Sequence, residues 1–483
     1  VSEYKNGSQK DAAFKSLLKV DNDEMIDILY DMAKSDASQK DAIINRYLAL
    51  AKGAKVNDIN KYQLFNKALD LNPSDKVKSN LVSALGDTKT LPALMLMDKY
   101  LANNATSAAA ADAVKLIVSK NESLQNGATA KNLLTKAQEV YKAQKAGGNA
   151  DAGYAVDEIT GILAKMGANG YKAVPATSGK TVTVAENAEN FEFYMDWKGS
   201  GKLQLRSMPA INLCDKNGVS MAYGEAKTVP AKKGEWNTLY VKVVNDRVMV
   251  QNNGETLIEN GTLKNTPDTK AINTTGKIEV ESGEVNFEAQ NIYLNELPST
   301  PVFTLPADEA KQGFEVLFDG RSLEKWQGNT SGYVPEDGNI FVTANYGGTG
   351  NLYTKKRYSD FVYRFEFCFV TPGVNNGVGI RTEIGVDAAY NGMEIQILDH
   401  DNPIYKGLNP YQQHGSVYGI IIPERVKFEP GVWNTEEIRA EGDNITVTVN
   451  GKVILKGNIR EACQGHNVKP EGETKNPYPL DHK

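Results

Sequence analysis

The sequence predicts a multidomain chain, an all-α solenoid followed by two all-β sandwiches. Three observations carry this: apolar residues recur at three and four up to about Met166, they alternate at two from about Lys180, and the alternating block occurs twice. At 483 residues the chain is also too long for one ordinary core.

The helical part covers residues 1–170. Phe14, Leu17 and Leu18, then Met25, Ile28, Leu29 and Met32, keep the helical spacing, and Asp, Ser or Asn precedes many of the runs as a cap would. About eight helices are expected, joined by short turns such as Asn72-Pro73-Ser74. The segment from Leu71 to Lys120, with its Asn72-Pro73 start, its SALGD helix end and its small residues Ala108 to Ala111, resembles HEAT or armadillo-like repeats. Such stacks serve as scaffolds or present a face to a protein partner.

Residues 171–297 read as a first sandwich, with TVTV, FEFYMDW, KLQLRS, INLCD, TLYVKVV, RVMVQ and IEVES as strands between polar turns. Residues 298–312 form a Pro-bearing linker, and 313–483 a second sandwich. GEWNTLYVKVVNDRVMVQNNG from Gly234 matches GVWNTEEIRAEGDNITVTVNG from Gly431, each ending in the Asn-Gly of a type I′ hairpin. LQLRS matches GIRTE, INLCD matches IQILD and AYG matches VYG, so Arg206 pairs with Arg381, Asp215 with Asp399 and Tyr223 with Tyr418. Trp236 and Trp433, alike in place, are expected in the cores. The second copy lacks a counterpart of GKIEVESGEVNFEAQNIYLNEL, and a strand missing from its end is expected.

Composition narrows the function classes. A net charge of −6 and a pI near 5.6 argue against nucleic-acid or anionic-membrane partners. No apolar run reaches the roughly 20 residues of a membrane span. Val1 in place of Met suggests that a leader has been removed, and an exported, periplasmic or cell-surface location is expected. Cys214, Cys368 and Cys463 are too dispersed for a disulfide framework or a structural zinc site.

All four histidines lie between 400 and 483, which directs attention to the second copy. There the arginine-to-aspartate interval grows from nine residues (206 to 215) to 18 (381 to 399), and the aspartate-to-tyrosine interval from eight (215 to 223) to 19 (399 to 418). Long loops on a rigid sheet are where functional groups concentrate. Ala210 stands where the second copy has Glu394, and Asn212 where it has Gln396, so the first copy reads as structural or as a degenerate binder. In MEIQI, Glu394 and Gln396 share one strand face, and Gly379 and Arg381 share a face of the preceding strand, with glycine leaving space. A polar face of this kind suits a polyhydroxylated ligand.

GFEVLFDGRSLEKWQG, YVPEDGNIFV, YSDFVYRFEF, NNGVGIRTE, GMEIQILD, SVYGI and GVWNTEEIRAEGDNITVTVNGKVIL together resemble the 3-keto-disaccharide hydrolase family, over about Gly313 to Ala462. The resemblance implies a concanavalin-like jelly roll that acts on glycosides oxidised at C3. That ketone acidifies the C2 proton, so a base can remove it, the aglycone can leave from C1 by elimination, and water can then add. Candidate catalytic residues are Glu394, His414, His400 and Asp399; Arg381, Gln396, Tyr418 and Tyr390 are candidate substrate contacts. Glu394 and Asp399 act as acid/base or, with a histidine, hold a divalent metal ion, though no tight ligand motif fixes such a site. Trp326, Tyr390, Tyr405 and Tyr411 could stack on sugar rings. The expected partner is a disaccharide or other glycoside. The alternative to a glycoside-cleaving enzyme is a non-catalytic carbohydrate-binding protein.

Overall fold

The computed structural model describes residues 4, 7–175, 181–223, 227–263, 273–283, 287–342 and 350–463. The chain divides into two compact units, one of Val1–Phe303 with Gly320–Ser322 and Pro335–Asn339, the other of Thr304–Asp319, Leu323–Val334 and Ile340–Lys483.

The first unit begins with nine helices among the described residues: α1 (Lys10–Leu17), α2 (Met25–Ser35), α3 (Lys40–Gly53), α4 (Asp58–Leu69), α5 (Asp75–Asp87), α6 (Leu91–Leu101), α7 (Ser107–Lys120), α8 (Ala128–Ala146) and α9 (Ala152–Leu163). The expected caps form at two of them: Asn57 accepts from Asn60 N–H at the start of α4, and Thr90 from Ala93 N–H at the start of α6. Gly86 in α5 lies against Ala113 of α7, where an added Cβ would sit 2.8 Å from the alanine methyl. The SALGD glycine and Ala113, just past the alanine run, thus let two helices pack with almost no side chain between them. No described helix is long and apolar enough to cross a membrane.

The first sandwich has strands β1 (Lys172–Val174), β2 (Thr181–Ala188), β3 (Asn190–Lys198), β4 (Ser200–Leu205), β5 (Met208–Cys214), β6 (Gly218–Met221), β7 (Thr228–Val229), β8 (Asn237–Val244), β9 (Arg247–Asn252), β10 (Glu255–Thr262), β11 (Gly276–Ser282) and β12 (Glu288–Leu297). They form sheets ordered β1-β12-β3-β8-β9-β10 and β2-β11-β4-β5-β6-β7. Period-two alternation buries Phe191, Phe193, Met195 and Trp197 of β3 between them. The outer face of the first sheet meets α4: Tyr62 donates to Asp196 (3.3 Å), Gln63 to Asn253 Oδ1 (2.7 Å) and Asn57 to the Asn253 carbonyl (2.9 Å).

From residue 304 onward the chain forms α10 (Ala307–Lys311), β13 (Trp326–Gly328), β14 (Tyr333–Glu336), β15 (Asn339–Val342), β16 (Leu352–Thr354), β17 (Phe361–Cys368), β18 (Asn375–Ile380), α11 (Ala388–Asn391), β19 (Met393–Leu398), β20 (Trp433–Glu441), β21 (Asn444–Val449), β22 (Lys452–Asn458) and α12 (Ile459–Cys463). Its sheets β17-β20-β21-β22 and β18-β19 repeat β3-β8-β9-β10 and β4-β5. The repeat extends to single hydrogen bonds. Asn253 Nδ2 donates to Asn237 Oδ1 (2.8 Å) and Asn450 Nδ2 to Asn434 Oδ1 (2.9 Å), and both hairpins turn through left-handed Asn-Gly pairs.

Among the described residues β17 pairs only with β20 and β18 only with β19, whereas β3 also has β12 and β4 also has β11. Phe361, Tyr363, Phe365 and Phe367 are half-buried, where the matching Phe191, Phe193, Met195 and Trp197 of β3 are fully buried. The expectation of a missing final strand concerns residues 464–483, which lie outside the described residues. The placement of Trp433 in the core is corrected: it is 53% exposed at the start of β20. Trp236 is half-buried beneath Lys198, its ring centre 4.9 Å from the ammonium. Asn434 and Asn450 carry the hairpin contacts at this corner, so the neighbouring indole is free to face outward.

Candidate active site

Met393, Ile395 and Ile397 of β19 point into the core, which puts Glu394 and Gln396 on the opposite face. Residues 415–418 add a third, strand-like row: Gly415 N–H donates to the Gln396 carbonyl (2.7 Å), Gln396 N–H to the Ser416 carbonyl (3.1 Å) and Tyr418 N–H to the Glu394 carbonyl (2.9 Å). Glu394 therefore stands beside Tyr418 and Gln396 beside Ser416, with Gly377 and Gly379 of β18 across from them. These residues make a polar floor, flanked by the long loops that the sequence comparison singled out.

Glu394 is half-buried, and its carboxyl is pushed up to about 7, chiefly by burial and next by the negative charge of Asp387. Gln396 Oε1 and Ser416 Oγ are buried with no hydrogen-bond partner among the described residues. Tyr418 hydroxyl accepts from Gln412 Nε2 (3.1 Å). The floor thus combines a carboxyl poised near neutrality with buried polar atoms whose hydrogen-bonding capacity the described residues leave unused.

Other expected residues do not join it. Arg381 was expected on this face, but its backbone is left-handed (φ 49°), which turns the side chain to the end of the sandwich. There it donates to the carbonyls of Ser359 (2.7 Å) and Gly442 (2.6 Å) and pairs with Asp360 (3.0 Å). Arg206 does the same in the first copy (φ 53°), donating to the carbonyls of Glu189 (2.7 Å) and Asn245. The shared arginine is a tie between loops and does not lie on the floor as a substrate contact would.

Asp399 is buried and accepts from Gly373 N–H (2.7 Å), as Asp215 accepts from Gly234 N–H (3.0 Å), so this shared aspartate also secures a turn. His400 is buried, its Nδ1 accepting from His414 N–H (3.1 Å) and its Nε2 facing the Val426 carbonyl (2.6 Å). Those partners fix a neutral ring, and burial lowers its proton affinity further. His414 is wholly enclosed, with Phe428 at 4.3 Å between ring centres, and its Nδ1 accepts from Leu398 N–H (3.1 Å). Its Nε2 lies 3.1 Å from Glu436 Oε2, within ion-pair range but off the axis of an aligned hydrogen bond. Both histidines are interior groups that brace the loops, and neither opens on the floor. Among the described residues no three His, Cys, Asp or Glu are gathered to hold a metal ion, so the Glu394–Asp399–histidine set does not form one.

The side chain of Tyr390 lies outside the described residues. Trp326 donates to the Leu317 carbonyl (2.8 Å) and Tyr405 to the Gly373 carbonyl (2.9 Å), contacts that hold their own loops. Sequence reasoning missed Glu436, Asp387 and Ser416. Glu436 had a signal: it replaces Leu239 at a core position of the matching strand. The pairing of Tyr418 with Tyr223 is also corrected by register, since Ala222 N–H donates to Ala210 as Tyr418 N–H does to Glu394. Tyr418 is thus an addition of the second copy. A cavity of about 340 Å³, lined by Asp58, Lys89, Lys120, Tyr171 and Tyr194 among others, lies in the first unit and is not part of this floor.

The chain is an N-terminal helical region followed by β-sandwich regions. Residues 313–477 match the family described as a 3-keto-alpha-glucoside-1,2-lyase-like domain, in a single match. Among solved structures, a candidate glycosyl hydrolase from Parabacteroides distasonis ATCC 8503 is 29% identical, with 26% of this chain and 62% of that one covered and a TM-score of 0.23. A second from the same organism is 24% identical, covering 32% and 77%, with a TM-score of 0.29. Carbohydrate-binding module CBM66 of Bacillus subtilis is 12% identical, covering 26% and 96%, with a TM-score of 0.21. The chain thus spans 62% of the length of the first of these structures. No curated protein matches the chain.

Proposed function

We propose that the second sandwich cleaves 3-keto-glycosides by elimination across C1 and C2, followed by hydration. The observation that carries this reading is the Glu394 carboxyl, raised to about 7 on a face shared with Gln396, Ser416 and Tyr418. A base of that strength is about half ionised at neutral pH and still strong enough to take a proton made acidic by a neighbouring ketone.

Glu394 takes the C2 proton. The C2–H electron pair enters the C2–C3 bond as an enolate, with the negative charge on the C3 oxygen. Collapse of the enolate restores the C3 ketone, forms the C1–C2 double bond and expels from C1 the aglycone oxygen, which takes the proton from Glu394 and returns the carboxylate. Water then adds across that bond, its oxygen at C1 and its proton at C2, to give the free 3-keto sugar. Gln396 and Tyr418 are the neighbours suited to hold sugar hydroxyls or the enolate oxygen.

The test is aglycone release from a 3-keto-glucoside and from the unoxidised glucoside, with deuterium exchange at C2 followed in heavy water. Release from the keto substrate alone, lost in Glu394→Gln together with C2 exchange, is the expected result. Equal release from both substrates overturns elimination, and sugar binding without release from either leaves a carbohydrate-binding protein.

A further inference from the structure

The two floor glycines, Gly377 and Gly379, enclose no empty space. A Cβ on Gly377 would overlap Glu394 Oε1 and lie 2.5 Å from the carboxyl carbon. A Cβ on Gly379 would come within 2.9 Å of the Ala388 methyl in α11 and 3.3 Å of Thr382 Cγ2. The expectation that Gly379 leaves room for ligand is therefore corrected: protein atoms occupy that room. Neither glycine has a positive φ, so the backbone does not require glycine at either place.

The first copy shows the opposite arrangement of bulk. Counting back from the paired arginines, Lys202 stands for Gly377 and Gln204 for Gly379, while Ala210 stands for Glu394. Gln204 there reaches Glu281 of β11 (2.5 Å). In the second copy the bulk has moved from the glycine strand to β19, and the vacated strand is where the carboxyl lies.

We propose that Gly377 and Gly379 are positioning residues for the Glu394 carboxylate. Gly377 seats the carboxyl against the sheet, and Gly379 lets the α11 turn settle so that Asp387 acts on it. The inference rests on the reading of Glu394 as the base. The groups around Glu394 fit it. The paired stretch of β18 carries no charged side chain, the 415–418 row contributes Tyr418, and the turn entering α11 contributes Asp387. Arg381, the nearest arginine in sequence, is turned away to Asp360, and no described ion pair involves Glu394. A carboxyl lifted off the sheet regains water and loses the effect of burial, the larger of its two perturbations.

The experiment uses the full chain with selectively carbon-13-labelled glutamate, the Glu394 signal being assigned by its loss in Glu394→Gln. Gly377→Ala is expected to lower the titration midpoint of Glu394 by about one unit or more. With a 3-keto-glucoside, kcat is expected to fall about tenfold with KM little changed, and the acidic limb of the pH profile to move in the same direction. Gly377→Ala/Glu394→Asp, whose shorter side chain withdraws from the added methyl, keeps the question open to test if the single variant does not fold. It is expected to fold and to titrate above a surface aspartate. An unmoved midpoint in folded Gly377→Ala, or a double variant that titrates as a surface aspartate does, overturns the proposal. The midpoint is read without substrate, so it decides on positioning even if the wild type proves to release no aglycone.

Discussion

Replacing Arg381 by glutamine separates a structural tie from a substrate contact. The guanidinium donates to two backbone carbonyls and Asp360, and the side chain is 8% exposed. Hydrogen bonds from a charged donor contribute about 1.5–3 kcal/mol each, and Gln can keep one of them. The Asp360 contact counts for little because that carboxylate is largely exposed. A loss of about 1.5–3 kcal/mol remains, confined to the end of the sandwich where residues 359–360 meet 442. Amide exchange is the suitable assay, since the two units need not unfold together. Gly442 N–H, which donates to Asp360 Oδ1 (3.0 Å), should exchange about ten- to a hundredfold faster in Arg381→Gln. Turnover by the folded protein should change less than about threefold. Unaltered exchange with turnover reduced a hundredfold or more would refute the reasoning and return Arg381 to the substrate.

Glu394→Gln should stabilise the second unit at pH 8 and not at pH 4. The folded state raises this carboxyl to about 7, so it holds the proton more tightly than the unfolded chain does. That contribution is complete below the ordinary carboxylate range and is lost as pH rises through about 7, a change of about 3 kcal/mol at most, read from denaturant midpoints. His414→Leu should cost about 1–3 kcal/mol by leaving the buried Leu398 N–H without its acceptor, read from the same denaturant midpoints. Gly86→Val should separate α5 from α7 and cost about 1–3 kcal/mol, seen as a lower Tm for the first unit alone.

The class of each region was legible because period and punctuation are local properties: the helical spacing up to Met166 and the strand alternation after Lys180 both became the elements they described. The Asn-Gly turns were legible for the same reason, since only certain residues tolerate a left-handed backbone there. Alternation also placed Glu394 and Gln396 on one face. It failed at Arg381, one residue past β18, where a left-handed backbone breaks the period. The histidines misled because residue type says nothing of depth. His400 and His414 have the chemistry of proton carriers but lie beneath Phe428, in contacts (400 to 428, 414 to 428) that no local pattern encodes. Tyr418 was misaligned because loops of unequal length let sequence identity outvote backbone register.

The buried His414–Glu436 pair also bears on how two tandem copies avoid confusing their parts. The hairpins β8–β9 and β20–β21 share turn, register and asparagine contacts, so during synthesis either could be offered to the wrong partner sheet. The second hairpin, misplaced in the first copy, would carry Glu436 into the position of Leu239, in a sandwich with no histidine. An unpaired carboxylate enclosed there would cost several kcal/mol. The reverse exchange would leave His414 facing a leucine. Cross-assembly is thus penalised in both directions by a single pair of residues that correct assembly conceals.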